Sequence, residues 1–276
     1  MTQKWEELGL SDNFIFQKVM LNEELCKKIL SEILGKEVTG IDYSTYEKTI
    51  EIRRDAKGIR LDVYIKDEEK TVYNVEIQNT DMDNLPKRSR YYHDLIDLDL
   101  MEKGEPYESL NHSYVIFICN FDVFGKGCYK YTFQNRCMEE EGLELGDGST
   151  TIFMNTGGHK GDISKDCEVF LKSIRGQFTD TGFSAILKKE VEKVKKNQKW
   201  RKEYMYMSVF LHDAEKKGMA EGLESGRKQG LEQGMKQGKA EAERIAIKKM
   251  LKKLSIEEII ELGYDRDFVL KIAKES

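Results

Sequence analysis

The sequence predicts a mixed α/β core over about residues 10–160, followed by a helical arm running to the C-terminus. Three observations predict it. Short segments near 45–53, 60–66 and 73–78 alternate apolar and polar residues, the period-two pattern of strands, with polar turns between them. A helical stretch at 86–103 then leads into the continuous apolar run 113–121, as expected of a strand covered on both faces. From 164 onward the pattern is helical, and the whole chain holds only two prolines.

Taken in order, Ser11 or Asp12 caps a short helix carrying Phe14, Phe16 and Val19. Asn22 caps a second helix, with Leu25, Ile29, Ile33 and Leu34 as its apolar stripe and Gly35 as its stop. The first strand sets Ile50 and Ile52 against Thr49, Glu51 and Arg53, and a turn follows at 55–58. In the next arm Leu61, Val63 and Ile65 alternate with Asp62, Tyr64 and Lys66. After the polar break at 67–70, Tyr73, Val75 and Ile77 alternate with Asn74, Glu76 and Gln78. Pro86 suits the first position of a helix that stops at Gly104 and carries Arg88, Tyr91, Tyr92 and Leu95 on one broad face. Two more strands fall near 128–136 and 150–155, around a Glu- and Gly-rich loop at 139–148. The Gly-rich stretch 157–162 lacks the Gly-Lys-Ser/Thr ending of a phosphate-binding loop and reads as a loop before a helix. The expected organisation is a core at 10–160, a helical extension at 161–217, a glycine-spaced segment at 218–240 and a helical hairpin at 241–276.

The hairpin carries the chemistry. Folded about Glu69, it sets Val63 opposite Val75 and Ile65 opposite Tyr73, so the apolar faces of two half-buried strands match. Asp62 then falls opposite Glu76 on the polar face. Opposed side chains have Cβ atoms roughly 4.5–5.5 Å apart, and like charges there destabilise a sheet. A divalent cation between the carboxylates reverses that sign, because hard cations take oxygen ligands. Gln78 points to the same face. If Ile50 opposes Val63 and Ile52 opposes Leu61, Glu51 joins Asp62 as a third carboxylate. Without a cation, Asp62 and Glu76 read as exposed strand acids beside Arg60 and Lys66.

The pattern Asp62-x13-Glu76-x-Gln78 across two strands resembles the PD-(D/E)XK nuclease fold, and more narrowly the Rpn family of recombination-promoting nucleases and putative transposases. The likeness covers most of the chain. The run 12–18 resembles the family's opening helix, 61–63 and 75–78 its two active-site strands, and 86–92 the helix that follows. The glycine-spaced tail ending in 254–259 is also similar. Gln78 stands where the broad superfamily has Lys, as is usual in the Rpn group. The resemblance implies Mg²⁺ or Mn²⁺ held by Asp62, Glu76 and the Ile77 backbone carbonyl, with Glu51 a further candidate. It implies Gln78 orienting water, Lys87 and Arg88 supplying charge near a phosphate, and DNA as the substrate. Asp12 approaches the site or simply caps its helix. Tyr91 and Tyr92 stack on a base or, the better reading, pack in the core.

Composition bounds these readings. A chain of 276 residues with 39% hydrophobic and 34% charged residues suits a globular protein with a charged surface. No run approaches the roughly 20 apolar residues needed to span a bilayer, so no membrane partner is expected. Five cysteines without a Cys-x-x-Cys spacing argue against a disulfide framework or a structural zinc, and the expected setting is the reduced cytoplasm. The four histidines form no zinc spacing or triad. The net charge of −5 does not advertise nucleic-acid binding, although Lys87, Arg88, Arg90 and His93 cluster after the carboxylates. Residues 188–202 hold eight Lys or Arg against two Glu, the pattern of a solvated helix face.

Gly218, Gly222, Gly226, Gly230, Gly234 and Gly238 form a strict period of four. Each costs a helix about 1 kcal/mol relative to Ala. The row drifts by about 40° per repeat instead of forming one seam. A flexible connector and a packed helix for homo-oligomerisation are both open. Ser255 and Glu258 form a capping box, and the segment after it reads as a helical hairpin in preference to half of a DNA-binding helix-turn-helix. The leading expectation is a metal-dependent DNA endonuclease. The alternatives are a nuclease fold impaired by Gln78 and used for interaction or assembly, and an acidic regulator acting through the arm.

Overall fold

A computed structural model describes residues 4–42, 49–50, 59–60, 62–81 and 84–275. The chain divides into two compact units, Met1–Tyr206 and Met207–Ser276. In the first, α1 (Asn13–Met20) and α2 (Glu23–Leu34) precede β1 (Thr49–Ile50), β2 (Ile59–Arg60), β3 (Val63–Lys66) and β4 (Val72–Gln78). Next come α3 (Leu85–Leu100), β5 (Ser113–Cys119), β6 (Lys130–Phe133), β7 (Ser149–Asn155), α4 (Lys165–Ile174), α5 (Gly182–Lys196) and the start of α6 (Gln198–Met250).

Five strands form one mixed sheet in the order β3-β4-β5-β7-β6. β4, β5 and β7 run parallel at its centre, and β3 and β6 are antiparallel at its edges. The parallel step from β4 to β5 needs a crossover, which α3 supplies. Asn84 caps α3 by accepting the Lys87 N–H, and the helix ends at Leu100, a turn earlier than expected. The β3–β4 hairpin takes the expected register, Val63 with Val75 and Ile65 with Tyr73.

Two expectations need correction. The strands of the hairpin are not half-buried: along β4, residues of both faces are buried. On one face α3 shares a core with Tyr64, Val72, Val115, Phe117 and Phe153. Val63, Ile65, Tyr73, Val75 and Ile77, on the other face, are buried as well, and α1 packs against β4. Alternation marked the two faces correctly but not their cover, because the polar residues of one face are hydrogen-bonded to each other. Second, β1 does not extend the hairpin's meander. Ile50 pairs with Ile59, not Val63, in a separate two-stranded sheet. The proposed register was four residues out; a short arm with apolar residues at 59, 61, 63 and 65 admits several alignments. Glu51 lies outside the described residues.

His93 ties α3 to the sheet. Its Nδ1 lies 2.8 Å from the Ser113 hydroxyl and its Nε2 3.1 Å from that of Thr151. Burial pushes the imidazole down to about 4, against the upward pull of Asp147 and Asp94.

In the second unit α6 remains helical through all six glycines. A Cβ added at any of them meets nothing within 4 Å. Beyond α6, α7 (Ile256–Glu261) and α8 (Arg266–Lys274) follow. Ile247, Ile259, Val269 and Ile272 form a small core among the three helices. The Ser255–Glu258 capping box is present, and Asp265 caps α8.

Candidate active site

Glu76 lies in the inner strand β4 and is 1% exposed. A buried carboxylate must find donors, and its two oxygens are supplied differently. Oε2 forms an ion pair with the Arg88 guanidinium, which reaches down from the first turn of α3. The same oxygen accepts from Gln78 Nε2 and from the Tyr92 hydroxyl, each at 3.4 Å. Oε1 accepts from Asn74 Nδ2 at 3.3 Å. Arg88 is itself held on several sides. Its Nε donates to the Tyr92 hydroxyl at 2.6 Å and its Nη1 to Gln78 Oε1 at 3.3 Å. The guanidinium also sits over the rings of Tyr92 and Phe117.

Asp62 occupies a bend immediately before β3, one step beyond the pair Val63–Val75. That step brings it level with Glu76 but outside the ladder. Its Oδ1 accepts from Gln17 Nε2 of α1 at 3.3 Å. Gln17 is 4% exposed, on a helix buried nearly all round. Burial first, and then the charge of Asp62, push the Glu76 carboxyl up to about 7 in spite of Arg88, Asn74 and Tyr92. The site therefore carries more negative charge than its own cation offsets.

This donor set fits a divalent ion. It presents two carboxylates, one buried, and hard cations take such oxygens. The Gln78 carbonyl accepts from Asn120 on the β5 side. Alternation along β4 then directs the Ile77 carbonyl toward the opposite edge, past the end of β3 where Asp62 sits. Asn74, wholly buried, has an Oδ1 with no hydrogen-bond partner. An unsatisfied buried acceptor costs about 1–3 kcal/mol. No group of three or more His, Cys, Asp or Glu side chains suited to a metal occurs among the described residues.

Of the residues singled out in the sequence, Asp62, Glu76, Gln78 and Arg88 come together. Lys87 is exposed in the first turn of α3. Asp12 caps α1 by accepting the Ile15 N–H at 3.1 Å. Tyr92 packs in the core, as expected, and its hydroxyl also joins Arg88 to Glu76. Sequence reasoning missed Gln17 and Asn74. The signal for Asn74 was its place two residues before Glu76 on one strand face. For Gln17 it was a polar residue inside the apolar run 14–20.

A mixed sheet with a crossover helix thus carries an acid pair at the end of a hairpin, answered by a glutamine and an arginine. The chain belongs to the PD-(D/E)XK nuclease family transposases, whose family model matches residues 13–167. That span runs from the first residue of α1 into α4 and takes in all of Gln17, Asp62, Asn74, Glu76, Gln78, Arg88 and Tyr92. No curated protein and no solved structure matches the chain. No helix among the described residues is long and apolar enough to cross a membrane.

Proposed function

We propose that the protein is a divalent-metal-dependent DNA endonuclease of the recombination-promoting kind. The observation that carries the reading is the buried Glu76 carboxylate set beside the charge of Asp62, an arrangement that costs the fold stability unless a cation joins it. Asp62, Glu76 and the Ile77 carbonyl would hold Mg²⁺ or Mn²⁺. A bound ion would supply activation of water, polarisation of the scissile phosphate and compensation of charge on the leaving oxygen. Gln78 is neutral and orients water by hydrogen bonding; it neither takes a proton nor carries charge. Arg88 brings the positive charge that Gln78 lacks to the same spot, since its guanidinium binds Gln78 and Glu76 together.

A second reading rests on the same ion pair. Arg88 partly neutralises Glu76 from within, so a metal-free nuclease fold serving as an interaction module is self-consistent. Cleavage of supercoiled plasmid with Mg²⁺ or Mn²⁺ separates the two. The endonuclease nicks the plasmid, and Asp62→Ala and Glu76→Ala each abolish nicking. Nicking that survives both substitutions, or no nicking with any metal, removes the first reading.

A further inference from the structure

The polar residue nearest the unsaturated side of Glu76 has no part in the chemistry so far. Oε2 of Glu76 is surrounded by Arg88, Gln78 and Tyr92, whereas Oε1 has Asn74 Nδ2, at 3.3 Å. Oε1, with one donor against three on Oε2, keeps the lone pairs a cation could use, and Asn74 is the side chain beside it. Asn74 is 0% exposed, and its Oδ1 lacks a hydrogen-bond partner. Its neighbours on this face include Tyr64, Val72, Val115 and Phe117. An aliphatic side chain of similar size would pack there without an orphaned oxygen. Its donation to Glu76 accounts for the amide nitrogen, but nothing in the fold accounts for the amide oxygen. A side-chain amide oxygen is, however, a ligand that hard divalent ions accept alongside carboxylates. Half a turn about its Cβ–Cγ bond, a soft torsion, exchanges the amide's nitrogen and oxygen.

We infer that Asn74 is the third side chain of the cation site, steadying Oε1 of Glu76 in the metal-free protein and offering an oxygen once a divalent ion is present. The inference rests on the metal-dependent reading of Asp62 and Glu76. It separates Asn74 from a residue that merely fills the core, because only a ligand weakens Mn²⁺ binding when its oxygen is removed and keeps it when Asp supplies one. For the site role, Asn74→Leu lowers the affinity for Mn²⁺ by about 10–100-fold, the usual effect of a residue supporting a ligand. Asn74→Asp lowers the melting temperature in chelator, because it adds a third acid beside Glu76 and Asp62. Added Mn²⁺ then raises it by more than in the native protein.

The experiment is a calorimetric titration of Mn²⁺ into the full chain, native, Asn74→Leu, Asn74→Asp and Glu76→Gln, with thermal melts in chelator and in Mn²⁺. Native binding that is lost in Glu76→Gln, weakened in Asn74→Leu and retained or strengthened in Asn74→Asp supports the assignment. Native binding lost in Glu76→Gln but unchanged in Asn74→Leu overturns the role of Asn74 and leaves the metal reading intact. A native protein that binds no Mn²⁺ overturns both.

Discussion

Replacing Glu76 by Gln should make the metal-free protein more stable at neutral and alkaline pH while destroying its activity. The carboxyl titrates at about 7 in the folded chain, against an ordinary 4.5. An acid raised in this way binds more protons folded than unfolded between those values. Its contribution to stability therefore falls as pH rises from about 4.5 to 7 and stays low above. At about 1.4 kcal/mol per tenfold change, the loss above pH 7 is about 3 kcal/mol. Gln keeps the shape and cannot ionise, and Arg88, whose side chain is 26% exposed, can turn its charge to water. His93 titrates in the opposite sense. Its pKa is lowered from 6.5 to about 4, so its contribution is full above 6.5 and is lost as pH falls toward 4. The two slopes oppose each other in the native protein, and the difference between variant and native isolates Glu76. Urea unfolding at pH 5 and pH 8 in chelator, followed by fluorescence, makes the measurement. Both tryptophans, Trp5 and Trp200, lie in the first unit. The variant should gain up to about 3 kcal/mol at pH 8 and much less at pH 5. A variant less stable than the native protein at pH 8, or a gain equal at both pH values, would refute the reasoning.

Three further outcomes follow from the same geometry. Asp62→Asn removes the second cause of the high Glu76 pKa, so the pH at which native stability falls should move down by that test, with nicking abolished. Arg88→Ala leaves Glu76 buried without its cation; stability at pH 8 should drop by about 3 kcal/mol, the usual cost of breaking a buried pair, and by less at pH 5, where Glu76 is protonated. Gly222→Ala and Gly230→Ala meet open space in α6 and should each stabilise the helix by about 1 kcal/mol. Circular dichroism melts that show a loss instead would mean that another surface packs against those glycines.

The hairpin was legible because its apolar residues alternate on both arms and the short polar break at 67–70 leaves the turn little room to slip from the register of Val63 with Val75. That register in turn brought Asp62 level with Glu76. The position of β1 was not legible, since both arms are short and repeat the same alternation, so that registers shifted by two or four residues match equally well. Nor was the burial of Glu76. Alternation distinguishes two faces but carries no information about what covers them, and α3 arrives from outside the hairpin. For the same reason Arg88 could be suspected from its charge, but its grip on both Glu76 and Gln78 depends on the path of a crossover helix. Gln17 comes from still further along the chain, and Asn74 was hidden by its ordinary place in a strand.

The two acids of the site belong to parts of the sheet with different resistance to opening. Glu76 sits in an inner strand, bonded to β5 along its length. Asp62 follows no such rule: it lies past the end of the four-residue edge strand β3, outside the ladder. Edge elements of this kind open locally at a lower free energy than the whole domain. Loosening of the bend before β3 carries Asp62 away from Glu76 while β3, buried at Val63, Tyr64 and Ile65, stays in place. On warming, then, metal-dependent nicking should fade reversibly before tryptophan fluorescence reports any unfolding, because the bend that holds Asp62 lets go before the sheet does.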